Sequence, residues 1–265
     1  MYKGPIKKIP NEFKQQFTLN GQISIYNVFL DESQKNKETI WSNELISTIK
    51  SHYTKENILK NKHQIYSMWK HGGEPYPDHR IGGACSLLCK AFNKYLIKNK
   101  NIAVIGSTKP WIECILLNYG AKSVTTVEYN VPKCENNDIK TISYYDNFKN
   151  TNKKKYDIIV TYSSIEHSGL GRYGDNIDPN GDIKAMEDIY NNLKDDGLLF
   201  WGGPIGPDAL VWNANRVYGN IRLPLLFKKF KVLEWFGCSL EKALKLPKGN
   251  DWRSNYQPVI ILKKK

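Results

Sequence analysis

A chain of 265 residues that is 40% hydrophobic and 12% aromatic has enough buried-type surface for one large domain, or a domain with an accessory segment, and this excludes a disordered chain. Lys and Arg number 39 against 26 Asp and Glu, a formal charge of +13, yet only Arg80, Arg172, Arg216, Arg222 and Arg253 are guanidiniums and no recognition motif accompanies them, which weighs against nucleic acid as a partner. Cys85, Cys89, Cys114, Cys134 and Cys238 include no C-x-x-C pair, and no apolar run approaches the roughly 18 residues of a bilayer span, so a cytoplasmic chain without disulfide framework, zinc-finger spacing or membrane span is expected.

Residues 1–100 show weak periodicity, Lys/Asn-rich stretches such as DESQKNKE (31–38) and helical patterns over 41–69, and read as a mainly helical accessory region. The loop HGGEPYPDHRIGG (71–83) closes it, either as a lid or as a turn-rich connector, before an amphipathic helix over 84–96. His71, Glu74, Asp78 and His79 in that loop lack a matching set of partner ligands and read as a polar loop.

Residues 101–265 switch to alternating strands and helices, the pattern of a parallel sheet with crossover helices. IAVIG (102–106) is a buried strand, Pro110 opens the helix PWIECILLNY and Gly120 ends it. SVTTVE (123–128), the weaker IKTISYY (139–145) and YDIIVTY (156–162) are the next strands. Asp182 caps a helix to about residue 194, DDGLLFWG (195–202) is a turn and strand, a helix is expected around 209–218, and strands are expected near 231–236 and 258–262.

In such a sheet the ligand lies beyond the carboxyl ends of the strands at the switch point, so the residues following strands one, two and four carry the chemistry. After the first comes Gly106-Ser107-Thr108-Lys109-Pro110, with one glycine where a dinucleotide fingerprint needs three, so a pyrophosphate is not cradled there. Glu128 ends the second strand 22 positions after Gly106, placed to accept both hydroxyls of a ribose. An acid there with a degenerate first loop fits S-adenosylmethionine better than NAD, because the methionine end carries no diphosphate.

The long polar stretch after the fourth strand holds Glu166, His167, Arg172, Tyr173, Asp175, Asp178 and Asp182. Methyl transfer is an in-line displacement that the protein mainly positions, with a general base added for a poorly acidic hydroxyl; His167 is the first candidate for that base, with a purely structural hydrogen-bonding role as the alternative. Glu166 and Asp175 join it as catalytic candidates, and Arg172, Tyr173 and Asp178 as acceptor-binding ones. Asp175, Asp178 and Asp182 could also gather a hard divalent cation, but Asp178-Pro179-Asn180-Gly181 is a turn sequence and Asp182 a helix cap, so a metal is not favoured. Asn213, Asn215, Arg216, Tyr218 and Arg222 follow the fifth strand and suit a hydroxyl-rich or phosphate-bearing acceptor.

Three segments, IGSTKPWIECILLNYGAKSVTTVEYN (105–130), SSIEHSGLGRYGDNIDPNGDIKAMEDI (163–189) and GGPIGPDALVWNANRVYGNIRLPLLF (202–227), resemble the family known as Caenorhabditis protein of unknown function, a branch of the class I S-adenosylmethionine-dependent methyltransferase fold. SIEHSGLGRYGD is the specific string among them. The resemblance implies a seven-stranded Rossmann-like sheet with an antiparallel final hairpin and S-adenosylmethionine as cofactor. It places Gly106 and Ser107 at the methionine part, Glu128 at the ribose, Tyr129 or Asp146 at the adenine and Ser163 under the methyl end. Members similar to this chain look like parts of surface-glycan pathways, so the expected activity is O-methylation of a sugar hydroxyl in a glycan or nucleotide-sugar precursor. A nicotinamide-dependent oxidoreductase and a non-catalytic glycan- or partner-binding module are the alternatives. Tyr162-Ser163-Ser164-Ile165 stands where an amino-directed nucleic-acid methyltransferase would carry an N/D-P-P-Y/F signature.

Overall fold

The computed structural model describes residues 2–35, 37–54, 56–57, 84–149, 155–246 and 255–265. The 71–83 loop, with His71, Glu74, Asp78 and His79, lies outside them. Helix α1 (Asn11–Phe17), strands β1 (Ser24–Val28) and β2 (Ile40–Trp41), and helices α2 (Asn43–His52) and α3 (Ala84–Lys94) come first. Ser42 starts α2 by accepting a bond from the Leu45 N–H, and α3 buries Leu87, Leu88, Ala91 and Phe92 along one face.

The alternating part follows: β3 (Asn101–Ile105), α4 (Trp111–Asn118), β4 (Ser123–Glu128), β5 (Lys133–Cys134), β6 (Ile139–Ser143), β7 (Tyr156–Tyr162), α5 (Gly181–Asn192), β8 (Leu193–Gly202), β9 (Ala209–Asn213), β10 (Asn215–Val217), α6 (Arg222–Leu226), β11 (Phe230–Phe236), α7 (Leu240–Ala243) and β12 (Val259–Lys264). Gly120 ends α4 at φ 82°, a backbone region that L side chains avoid. Seven strands form one sheet in the order β11-β12-β8-β7-β3-β4-β6. β3 pairs in parallel with both β4 and β7, and β12 runs antiparallel to both β8 and β11. The order therefore reverses at β3 and β7, and a crevice opens beyond their carboxyl ends.

The period of two along β3 builds both faces of this sheet. Ile102 and Val104 join the core formed with α2, α3 and α4, whereas Ala103 and Ile105 join the core on the α5 side. A third core joins Phe17 and Ile23 from the N-terminal region to Leu170, Ile177, Leu210 and Trp212. In the smaller sheet β1 lies parallel to β9, and Asn213 exchanges two bonds with the backbone of Leu30. The first forty residues are thus laid against the loop after β7.

Two expectations require correction. Residues 209–218 form the β9–β10 hairpin, not a helix: the strand pairing with β1 satisfies their backbone, and Leu210 to Val217 are buried on all sides, which hides any period of two. Asp182 does not cap α5. It lies inside the first turn, fully buried, and its carboxylate takes the Arg222 Nη2 at 2.6 Å and Nε at 2.8 Å, and the Tyr218 hydroxyl at 3.1 Å, with Arg216 Nε at 3.6 Å. Burial opposes its ionisation, but the charges of Arg216 and Arg222 outweigh this and hold it below the ordinary carboxylate range.

Removing one partner of this cluster strands a charge in the interior. Arg222→Ala is expected to lower the unfolding free energy by about 3–5 kcal/mol, read as a loss in urea midpoint without a change in slope. A loss below about 1 kcal/mol would mean that water reaches Asp182.

Candidate active site

A cavity of about 420 Å³ occupies the crevice beyond β3, β4 and β7. Gly106 and Ser107 after β3, Glu128 and Tyr129 at the end of β4, Ser163 after β7, and His167, Arg172 and Tyr173 from the following loop all line it. The sheet explains the convergence: parallel neighbours deliver their carboxyl ends to one edge.

Gly106 adopts φ 78°, and a Cβ built on it would fall inside the Ser164 side chain. Glycine therefore lets the first loop press against the turn after β7, where Ser163 itself holds φ 52°. Glu128 accepts the Ser107 N–H at 2.5 Å and the Tyr129 N–H at 3.1 Å. Burial pushes its carboxyl up to about 7, although part of it is reachable from the cavity. With the Ser107 N–H committed to Glu128, this loop offers no ready cradle for a diphosphate, while the Glu128 oxygens retain lone pairs for hydroxyl donors. These features fit an adenosine-containing cofactor without a pyrophosphate. The Tyr129 ring stacks on Tyr145 with centroids 5.3 Å apart and meets Tyr144 edge-on, and Tyr144 also lines the cavity.

At the other end, His167 Nδ1 lies 2.6 Å from the Ala214 carbonyl oxygen. An oxygen there can only accept, so Nδ1 carries the proton and Nε2 keeps its lone pair. Arg172 Nη1 donates to the same carbonyl at 3.2 Å, and its Nε meets the Glu32 carboxylate at 2.6 Å. Burial first, and the Arg172 charge second, bring His167 down to about 3, so the ring is neutral at physiological pH. Glu166, at 1% exposure, sits with Oε1 3.7 Å from His167 Nε2. Tyr173 meets the His167 ring edge-on, with the Arg172 guanidinium 5.1 Å from the Tyr173 centroid.

Several sequence-derived candidates stand elsewhere. Asp146 is exposed on the short turn after β6 and does not line the cavity. Asp175 is buried and accepts the Gly169 N–H at 2.7 Å and the Tyr173 N–H at 3.3 Å; it organises the loop and borders a separate, neighbouring cavity. Asp178 accepts the Asn180 N–H within its turn and pairs with Lys184. Arg216 donates to the carbonyls of Glu166, Ser168, Asp178 and Pro179, and Tyr218 donates to Asp182. Asn215 is buried and its amide donates to the Arg216 carbonyl. These groups hold the loop and are not available to an acceptor, because the interior already uses their donors. Asp175, Asp178 and Asp182 do not converge, and no cluster of three or more metal-ligating side chains occurs among the described residues.

Three contributors have no signal in the sequence pattern. Glu32 and Lys35 come from the Lys/Asn-rich N-terminal stretch; Lys35 lines the cavity, and Glu32, held near 2 by Lys35 and Arg172 against the effect of burial, anchors Arg172. The Ala214 contribution is a backbone carbonyl. A fourth, Glu113, was visible as the one acid in the apolar run WIECILL. It lies fully buried under the first loop, where Thr126 Oγ1 donates to it at 2.7 Å and Ser107 Oγ at 3.1 Å.

A seven-stranded sheet in this order, with β12 antiparallel, is the fold of the class I S-adenosylmethionine-dependent methyltransferases. The sequence profile of the family described as Caenorhabditis protein of unknown function, DUF268, matches residues 99–264, and the chain belongs to that family. Among solved structures it is similar to Burkholderia thailandensis 1,6-didemethyltoxoflavin-N1-methyltransferase, which holds 1,6-didemethyltoxoflavin and S-adenosylhomocysteine: the TM-score is 0.50 at 12% identity, over 83% of this chain and 89% of that one. A TehB-like S-adenosylmethionine-dependent methyltransferase from Corynebacterium glutamicum aligns with a TM-score of 0.42 at 13% identity, over 81% of this chain and 99% of that one. At these identities the likeness is one of fold. No curated protein sequence matches the chain. No helix among the described residues is long and apolar enough to cross a membrane.

The contact at Gly106 sets an expectation for the loop. Gly106→Ala should destabilise the protein by at least about 1 kcal/mol, through both the positive φ and the overlap with Ser164. Adding Ser164→Gly should restore part of the loss in a thermal melt, and no restoration would show that φ alone is responsible.

Proposed function

We propose that the chain is an S-adenosylmethionine-dependent methyltransferase that methylates a hydroxyl group, the acceptor being a sugar of a glycan or nucleotide-sugar precursor. The observation that carries this reading is the pairing, within one cavity, of Glu128 at the end of β4 with a neutral His167 whose Nε2 retains its lone pair. The first suits the ribose of the cofactor; the second suits removal of a hydroxyl proton.

The chemistry that S-adenosylmethionine supplies when bound is an electrophilic methyl group on a sulfonium. Glu128 would hold the ribose hydroxyls, Tyr129 and Tyr144 would bound the adenine, and Gly106, Ser107 and Ser163 would face the methionine part. His167 would take the acceptor's proton at Nε2, its tautomer fixed by the Ala214 carbonyl. Because burial and Arg172 keep this imidazole neutral far below pH 7, the ring itself would stay unprotonated at Nε2 between pH 5 and 8. Arg172 and Tyr173 would shape the acceptor side. With Arg216 and Arg222 committed to the interior and Arg172 paired with Glu32, the site favours an uncharged, hydroxyl-rich acceptor over a phosphate at this point.

Isothermal calorimetry should give heat with S-adenosylhomocysteine and S-adenosylmethionine and none with NAD; silence with both methionine derivatives at sub-millimolar concentration sinks the proposal. Glu128 is ionised only above about 7, so affinity for S-adenosylhomocysteine should weaken as pH falls from 8 to 6. Glu128→Gln should bind less tightly and lose that pH dependence.

Methyl transfer to a panel of nucleotide sugars and small glycans then addresses the acceptor. In His167→Ala, kcat should fall by about 10²- to 10⁴-fold with unchanged S-adenosylhomocysteine affinity. Unchanged turnover would reassign His167 to structure.

A further inference from the structure

We propose that Glu166 is the positioning partner of His167: the two side chains form a proton-sharing pair, in which the Glu166 carboxylate compensates the charge that Nε2 gains on taking a proton. The role in turnover rests on the methyl-transfer reading above, whereas the existence of the pair does not.

The argument is geometric. His167 Nδ1 is committed to the Ala214 carbonyl at 2.6 Å, and Arg172 Nη1 approaches that same oxygen at 3.2 Å, so the imidazole can change its protonation only at Nε2. The carboxylate nearest to Nε2 is that of Glu166, whose Oε1 stands 3.7 Å away, a separation that a small side-chain shift would close to a hydrogen bond. Glu166 is 1% exposed, and its Oε2 is buried without any hydrogen-bond partner. An interior carboxylate oxygen left without a donor costs free energy. The position of the 165–167 turn is secured separately, because Arg216 holds the Glu166 and Ser168 backbone carbonyls.

The charged and titratable groups around the pair support a transition near neutrality. Burial pushes Glu166 up to about 7, while hydrogen bonds from its own N–H, the Ser163 hydroxyl and the Ser164 N–H, and after them the Arg172 charge, favour the ionised form. Arg172 and Lys35 oppose a charged His167, and Glu32 favours it. Tyr162 and Tyr218 face Glu166 as neutral phenols, their own ionisation suppressed by burial.

In turnover the acceptor O–H bond breaks and its proton passes to Nε2, while the oxygen forms the O–CH₃ bond. The S–CH₃ bond breaks with its electron pair staying on sulfur. The positive charge lost from the sulfonium appears on the imidazole, next to the Glu166 carboxylate. Ionised Glu166 would thus raise the basicity of His167 at the moment it is needed.

The test uses the full chain labelled with ¹⁵N-histidine, followed by long-range ¹H–¹⁵N correlation spectra from pH 5 to 9. The expected result is a His167 ring protonated at Nδ1 throughout, with an Nε2 resonance that inflects near pH 7 as Glu166 titrates. Glu166→Gln, which keeps size and shape, should retain the tautomer and abolish the inflection, and Glu166→Asp should restore it at a shifted pH. A flat Nε2 profile in the wild type, or the same inflection in Glu166→Gln, would overturn the pair. The wild-type titration needs no variant to fold, and ¹³C-carboxyl detection of Glu166 in a sample also labelled with ¹³C-glutamate must show a coincident inflection. Where methyl transfer is measured, Glu166→Gln should lower kcat by about a hundredfold or more with KM for S-adenosylmethionine unchanged. Calorimetric silence with S-adenosylhomocysteine would remove the transferase role while leaving the spectroscopic result to decide the pair.

Discussion

Two buried guanidiniums hold the loop that carries the polar end of the cavity. Arg216 donates to four backbone carbonyls between Glu166 and Pro179, and Arg222 ties Pro179 and Asp182 together. A loop of this length, rich in Gly and polar residues, has many conformations to lose on folding. Its carbonyls lie too deep for water, and planar guanidiniums with several fixed donors are the side chains suited to satisfying them. Asp182 completes the arrangement by neutralising charge that the interior would not otherwise tolerate. The positions of His167, Arg172 and Tyr173 follow from this frame.

That frame changes the meaning of the chain's charge. Of the guanidiniums that lie in the family-like segments, Arg216 and Arg222 are structural, and Arg172 is shared between Glu32, the Ala214 carbonyl and the face of Tyr173. What remains at the polar end is a neutral imidazole beside a buried acid. The N-terminal forty residues take part in this balance: β1 extends the β9–β10 sheet, and Glu32 and Lys35 bring opposite charges to Arg172 and the cavity. Segments at opposite ends of the chain thus define one site.

How far the sequence could be read depended on the range of the interactions concerned. β4 and β7 coincide with SVTTVE and YDIIVTY because β-branched and apolar runs bounded by polar residues are local signals, and Gly106, Glu128 and Ser163 reach one cavity because parallel topology fixes where strand ends go. Residues 209–218 read as a helix in the sequence alone because the partner that makes β9 a strand, β1, lies more than 180 residues earlier, as the 183-position separation of Leu30 and Asn213 illustrates. The resemblance implies Asp146 at the adenine, and the polar stretch after the fourth strand offers Asp175 as a catalytic candidate, yet one faces solvent and the other is turned toward backbone N–H groups.

The sequence by itself determined the alternating βα order, the carboxylate at the end of the second strand, the single glycine that the first loop requires and the polar run bearing His167, because each is encoded in residue type and short-range spacing. Only the tertiary structure decided which polar groups serve the cavity and which serve the interior. An Arg, Tyr or Asp can satisfy a buried carbonyl or reach into a crevice with equal chemical aptitude, and the choice rests on burial and on partners supplied by distant segments. The tautomer of His167 belongs to the same category, since it is set by a backbone carbonyl 47 positions away that no side-chain pattern reveals.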